Sequence, residues 1–204
     1  MAYDYQKLLK EREEKDAAFT KKLNATRQRC KNVVGKEAGI AVVGDIEDIA
    51  IGRPTLGGAE FVINFRILRI IGLKWNLSGL LGEKASDGIV YSIGIKLGRD
   101  LVSSGLIQGK DGKEFVTNFA QFIVNMKIGV PTVVEWKGDF PNIIKVDECI
   151  SCGGMMNIGE PICHYEGGVI AGALSEYFKG LIVATEVLCW GHGEETCQFE
   201  LCAK

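Results

Sequence analysis

The stretch "EPICHYEGGVIAGALSEYFKG" sets the tightest limit on what this chain can fold into. A proline near its first turn and Gly180 at its close bracket a helix. Within that helix Gly167, Gly168, Ala171, Gly172 and Ala173 leave little side-chain volume. Each helical glycine costs about 1 kcal/mol relative to alanine, so propensity alone does not hold such a segment. The helix needs its backbone laid close against a sheet or another helix. Phosphate binding is the competing use of glycine, and the spacing argues against it. Gly167, Gly168 and Gly172 miss the dinucleotide fingerprint and fall inside a helix instead of at a strand-to-helix turn. Gly35-Lys36, Gly109-Lys110 and Gly112-Lys113 lack the following Ser or Thr of a P-loop.

The surrounding periods supply the rest of an α+β domain. Ile89, Ile93, Leu97 and Leu101 recur every four residues, which predicts a helix over 88–102 with Ser86 or Asp87 as its cap and Gly105 at its end. Phe115, Phe119, Phe122, Ile123 and Met126 share one face of a second helix over 114–127, stopped before Gly129 and Pro131. "PTVVEWKG" and "NIIKVDEC" read as strands with "DFPN" turning between them, and "GIAVVGDIEDIAI" over 39–51 reads as short β structure. "LIVATEVLCW" and "TCQFEL" flank "GHGEE" as a hairpin, so the antiparallel sheet lies toward the carboxyl end.

Residues 1–36 stand apart. They hold ten Lys or Arg against five Asp or Glu, a local +5 that leaves the remainder at −7. Their sparse apolar stripe predicts a charged helical segment packed on the domain or on a partner, ahead of a domain over 37–204. It has too little aromatic or Arg interleaving for a nucleic-acid arm, and the formal net charge of −2 gives no global basic signal. The longest apolar runs stop well short of the roughly 20 residues a membrane helix needs, and the start is charged, so no membrane span and a cytoplasmic location are expected.

Cysteine chemistry is the strongest functional signal. There are seven cysteines, too many by one for full pairing within the chain. Cys149 and Cys152 form a C-x-x-C that alone reads as a redox pair, half a zinc site or two core thiols. Cys163, Cys189 and Cys197 form a later group with Glu186 nearby. If 181–190 and 196–201 pair around Gly193, Cys189 and Cys197 lie at equal distances from the turn and face one another. Residues three apart on a regular strand point to opposite faces, so a metal reading requires a bulge near 187–189 to bring Glu186 round. Spacing leaves both a zinc site and buried thiols open. His164 and His192 are alternative ligands, or a helix-start and an exposed turn residue.

"ECISCGG", "GEPICHYEGGVIAGALSEYF" and "VATEVLCWGHGEETCQFEL" together resemble the 4-vinyl reductase domain, over about 145–201, with the helices from about residue 55 fitting the rest. That family includes stand-alone archaeal and bacterial proteins, a bacteriochlorophyll biosynthesis protein and the sensory part of phenol- and xylene-responsive transcription activators. The resemblance implies zinc held by Cys163, Glu186, Cys189 and Cys197. It also implies a fold related to transport-particle (TRAPP) subunits, a homodimer, and a cavity for a hydrophobic or aromatic small molecule. The ATPase and helix-turn-helix segments of those activators have no counterpart here.

Three functions follow. A binding or sensor module would enclose its ligand with Ile89, Ile93, Leu97, Phe115, Phe119, Phe122 and Trp136, joined by Phe140, while a structural zinc pins the hairpin. Most of those side chains also serve as plain core. Reduction of a tetrapyrrole vinyl group is the alternative suggested by the family name. It needs a nicotinamide or flavin, for which no fingerprint is present, and four protein ligands fill the position that catalytic zinc keeps open. A homodimeric scaffold without ligand is the third.

Overall fold

The computed structural model describes residues 4–7, 10 and 43–204. The helix expected over 1–36 therefore falls almost wholly outside the described residues, as do 39–42 of the expected β segment. Of the described part, Ile46–Gly52 is a helix (α1) and not a strand. The side chain of Asp45 accepts from the Asp48 N–H at its start, and this cap outweighs the β preference of the Ile and Val residues. Tyr5 is buried among Leu56, Ala120, Val124 and Val130, with its hydroxyl donating to the Pro131 carbonyl.

Helix α2 (Ala59–Arg66) runs directly into a π-helical segment (Ile67–Trp75) and a short α3 (Asn76–Leu81). Helix α4 spans Glu83–Ser103 and starts three residues before the expected caps, at Gly82. Ser86 is instead buried and donates to the Lys74 carbonyl. Helix α5 (Gly112–Asn125) is capped by Asp111, which accepts from the Glu114 N–H at 2.8 Å. Its Phe115, Phe119 and Ile123 face the core.

Four strands follow: β1 (Val130–Lys137), β2 (Phe140–Asp147), β3 (Ile182–Leu188) and β4 (Cys197–Ala203), ordered β1-β2-β4-β3 and antiparallel throughout. The β1–β2 turn is tighter than expected. Gly138, at φ +65°, and Asp139 make it, and the "FPN" residues lie in β2. Pro141 is tolerated there because β2 pairs with β4 only from Ile143 onward.

Helix α6 (His164–Phe178) is the expected small-residue helix, buried from Glu166 to Ser175. It lies between α4 and β3. The close approach is mutual. A methyl group built on Gly168 or Gly172 would sit 2.1 or 2.2 Å from the Tyr91 or Ile95 carbonyl of α4, and one on Gly94 or Gly98 would sit 2.2 Å from the Tyr165 or Val169 carbonyl of α6. Glycines four apart on both helices bring backbone against backbone, which orients the regular α4 stripe differently from the periodic reading. Val90, Gly94, Gly98 and Leu101 are buried, whereas Ile89 and Ile93 are 38% and 46% exposed.

Candidate metal centre and apolar cavity

Five cysteines converge where the end of β2, the start of α6 and the β3–β4 connection meet. Cys149, Cys152, Cys163, Cys189 and Cys197 are all buried. Two four-residue sets each bring their donor atoms within 4.8 Å of one another: Cys149, Cys152, Cys163 and Cys197, and Cys163, Glu186, Cys189 and Cys197. Sulfur to sulfur, Cys152–Cys197 is 3.1 Å, Cys152–Cys163 3.4 Å, Cys149–Cys163 3.6 Å, Cys163–Cys197 3.6 Å and Cys163–Cys189 4.0 Å.

The strand-face difficulty at Glu186 is resolved locally. Pairing with β4 is regular through Glu186↔Phe199 and resumes at Leu188↔Gln198, with an irregularity between them. The extra residue lets Glu186 and Cys189 meet. Cys189 itself lies just past the last ladder pair, in extended backbone, and enters the short turn Trp190–His192. Glu186 Oε2 accepts from the Cys163 N–H at 2.9 Å, while Oε1 is buried with no partner among the described residues. Burial, reinforced by the neighbouring Cys189, pushes the Glu186 carboxyl well above its ordinary range. Burial likewise pushes the Cys152 and Cys163 thiols up. So dense a group of acids ionises together only with a cation among them. His164 opens α6 and His192 is exposed, and neither belongs to either set.

The Cys149–Cys152 loop is held by three arginines that sequence reasoning did not single out. Arg53 donates to the Glu148 carbonyl, and Arg69 to Ser151 Oγ at 2.7 Å. Arg66, fully buried, donates to the carbonyls of Ile150 at 2.9 Å, Val43 at 2.8 Å and Gly153 at 2.7 Å. Burial pulls its guanidinium down to about 10, against the pull of Cys152 and Cys149 thiolates. Glu148, at φ +52°, receives the N–H groups of Thr55 and Leu56 on its carboxylate. No period in the sequence marks these arginines, because their targets lie more than 80 residues away for Arg66 and Arg69.

Beside this centre lies an apolar cavity of about 370 Å³. Phe61 and Phe65 of α2, Leu97 of α4, Phe119 and Phe122 of α5, and Tyr165 and Val169 of α6 contribute to its wall. Glu166 is the charged residue in that wall. Its carboxylate accepts from Ser151 Oγ at 2.5 Å and pairs with Arg69 at 2.7 Å. Burial raises Glu166 to about 7 even with Arg69 drawing it down. Arg69 also stacks 5.2 Å from the Tyr165 ring, and its Nε is buried without a partner among the described residues.

Of the pocket residues expected from sequence, Leu97, Phe119 and Phe122 meet at this cavity. Ile93 lines an adjoining hollow with Phe65, Arg69 and Tyr165. Phe115 stacks on Tyr177 at 4.0 Å, and Trp136 lines a separate cleft beside Tyr5. Ile89 lies outside all of these, and Phe140 packs edge-on against Phe178.

The family model of the 4-vinyl reductase domain matches residues 142–202, from β2 to β4. The uncharacterized protein MJ0150 of Methanocaldococcus jannaschii is 32% identical over 158 residues, which cover 76% of this chain and 84% of that one. A solved vinyl-4-reductase family protein from the same organism aligns at 19% identity and a TM-score of 0.46, over 81% of this chain and 92% of that one. The phenol-responsive sensory domain of the transcription activator PoxR, solved with phenol, aligns at 15% identity and a TM-score of 0.51, over 65% and 71%. The last of these is a likeness of fold.

Proposed function

Because the chain belongs to the 4-vinyl reductase domain family, we propose that it is a zinc-containing binding domain for a hydrophobic or aromatic small molecule. The observation that carries this reading is the 370 Å³ cavity walled by aromatic and aliphatic side chains, with the Glu166 carboxylate set in it. Ligand sites combine such apolar walls with a few polar anchors. Here Glu166 accepts a hydroxyl or amine proton, and the free Arg69 Nε–H is the complementary donor nearby. The neighbouring fold that senses phenol supports an aromatic ligand.

Cys163, Glu186, Cys189 and Cys197 suit zinc. Thiolate and carboxylate donors match its preferences, and the buried, unpartnered Glu186 Oε1 is a donor in want of a cation. Zinc bound there would supply a cross-link between the start of α6 and the β3–β4 connection, with no open position for chemistry. The Phe61, Leu68 and Leu80 side chains, 60%, 74% and 80% exposed, support a homodimer. No helix among the described residues is long and apolar enough to cross a membrane.

Native mass spectrometry of the purified chain, followed by denaturing analysis of what it releases, tests the reading. Bound zinc and a co-purified or titratable aromatic molecule are expected. A chain that binds no apolar probe at micromolar concentration, with its metal in place, refutes the binding role.

A further inference from the structure

We propose that the cysteine centre holds two divalent metal ions, bridged by the thiolates of Cys163 and Cys197. This rests on the metal reading above and extends it, since one zinc needs only four of the six donors.

The geometry comes first. A tetrahedral ion with metal–sulfur bonds of about 2.3 Å holds its sulfurs roughly 3.8 Å apart. The 3.1–4.0 Å sulfur separations fit that spacing. The two ligand sets share Cys163 and Cys197. Two sulfurs 3.6 Å apart can each bond to an ion on either side. Cys149 and Cys152 then complete one tetrahedron, and Glu186 and Cys189 the other.

Each half has its own independent indication. On one side Glu186 Oε1 is buried and unpartnered. On the other Arg66 is a fully buried cation whose three hydrogen bonds end on carbonyls, with no carboxylate paired to it among the described residues. Two of those carbonyls belong to Ile150 and Gly153, in and beside the C-x-x-C loop. A buried cation without a counter-charge is costly, and thiolates at Cys149 and Cys152 supply one. A single ion in either set strands the other half: a lone carboxylate in one case, two thiols beside a bare guanidinium in the other. Charge gives the same count. Five thiolates and one carboxylate carry six negative charges, which two divalent ions and Arg66 reduce to one.

The test is a cobalt(II) titration of the metal-stripped full-length chain, followed by electron paramagnetic resonance and by native mass spectrometry. The wild type is expected to take up two ions per chain, with a resonance that declines toward the second equivalent as thiolate bridging couples the ions. Saturation at one equivalent overturns the proposal and leaves the single zinc standing. Two ions with fully additive signals overturn the bridge. No uptake at all overturns both readings. The Cys149→Ser/Cys152→Ser double variant is expected to saturate at one ion, and retention of two overturns the assignment of those ligands. The wild-type titration decides the stoichiometry even if that variant does not fold.

Discussion

Two glycines six residues apart on α4 respond oppositely to the same substitution. At Gly88 a methyl group meets nothing within 4 Å, so Gly88→Ala brings only the helix-propensity gain of up to about 1 kcal/mol. At Gly94 the methyl lands 2.2 Å from the Tyr165 carbonyl. Ordinary contact needs about 3.5 Å, so α4 and α6 must part by roughly 1 Å. Overpacking of this kind costs about 1–3 kcal/mol or more. The obstruction is backbone, which has no rotamer to yield, so the upper end applies and a net loss of about 2 kcal/mol remains after the propensity gain. The entropy removed from the unfolded chain is common to both variants and cancels between them. At about 2–4 °C per kcal/mol, Gly94→Ala lowers Tm by ~4–8 °C while Gly88→Ala raises it by ~2–4 °C. Urea denaturation with unchanged slopes measures both. A Gly94→Ala chain as stable as the wild type would refute the reading of the crossing as backbone against backbone.

Cys189→Ser is expected to lower metal content and Tm together, and a variant that loses metal yet melts unchanged argues against a structural role for the ion. Leu97→Trp and Met126→Trp add bulk at two half-exposed or exposed residues of the cavity wall. Uptake of N-phenyl-1-naphthylamine, followed by fluorescence, is expected to fall at least tenfold, with stability within about 0.5 kcal/mol; undiminished uptake places the ligand elsewhere. Glu166 ties stability to pH. Its folded value is raised from 4.5 to about 7, so between those limits the folded chain keeps a proton the unfolded chain has released. Its contribution is full below the unfolded value and is lost as pH rises through the folded one, by roughly 3 kcal/mol in all. Between pH 4.5 and 7 the wild type should lose stability relative to Glu166→Gln as pH rises, and parallel curves at fixed metal saturation count against the raised value.

The elements most legible in the sequence were those whose contacts are side chain to side chain. The phenylalanines of α5 repeat on one face because they fill the core, and the helix follows from them. The β3–β4 hairpin and its irregularity between Glu186 and Leu188 were readable because a single geometric demand, Glu186 beside Cys189, required them. The α4 stripe misled for the opposite reason. Its buried contact with α6 runs through Gly94 and Gly98, which have no hydrophobicity to detect, and Ile89 and Ile93 turn outward. The convergence of Cys149 and Cys152 on the later cysteines was equally hidden. It depends on a loop with no repeat, secured by Arg53, Arg66 and Arg69 from a distant part of the chain.

The α4–α6 crossing also bears on what the matched segment is worth alone. Residues 142–202 contain β2, α6, β3 and β4 but neither α4 nor β1. Excised, that segment would open the glycine face of α6 to water, leave one edge of β2 unpaired, and release the cysteine loop from all three arginines. The part that is easiest to recognise is therefore not an autonomous folding unit. A gene fusion or a truncated clone that carried only those residues would inherit every proposed metal ligand and none of the scaffold that brings them together.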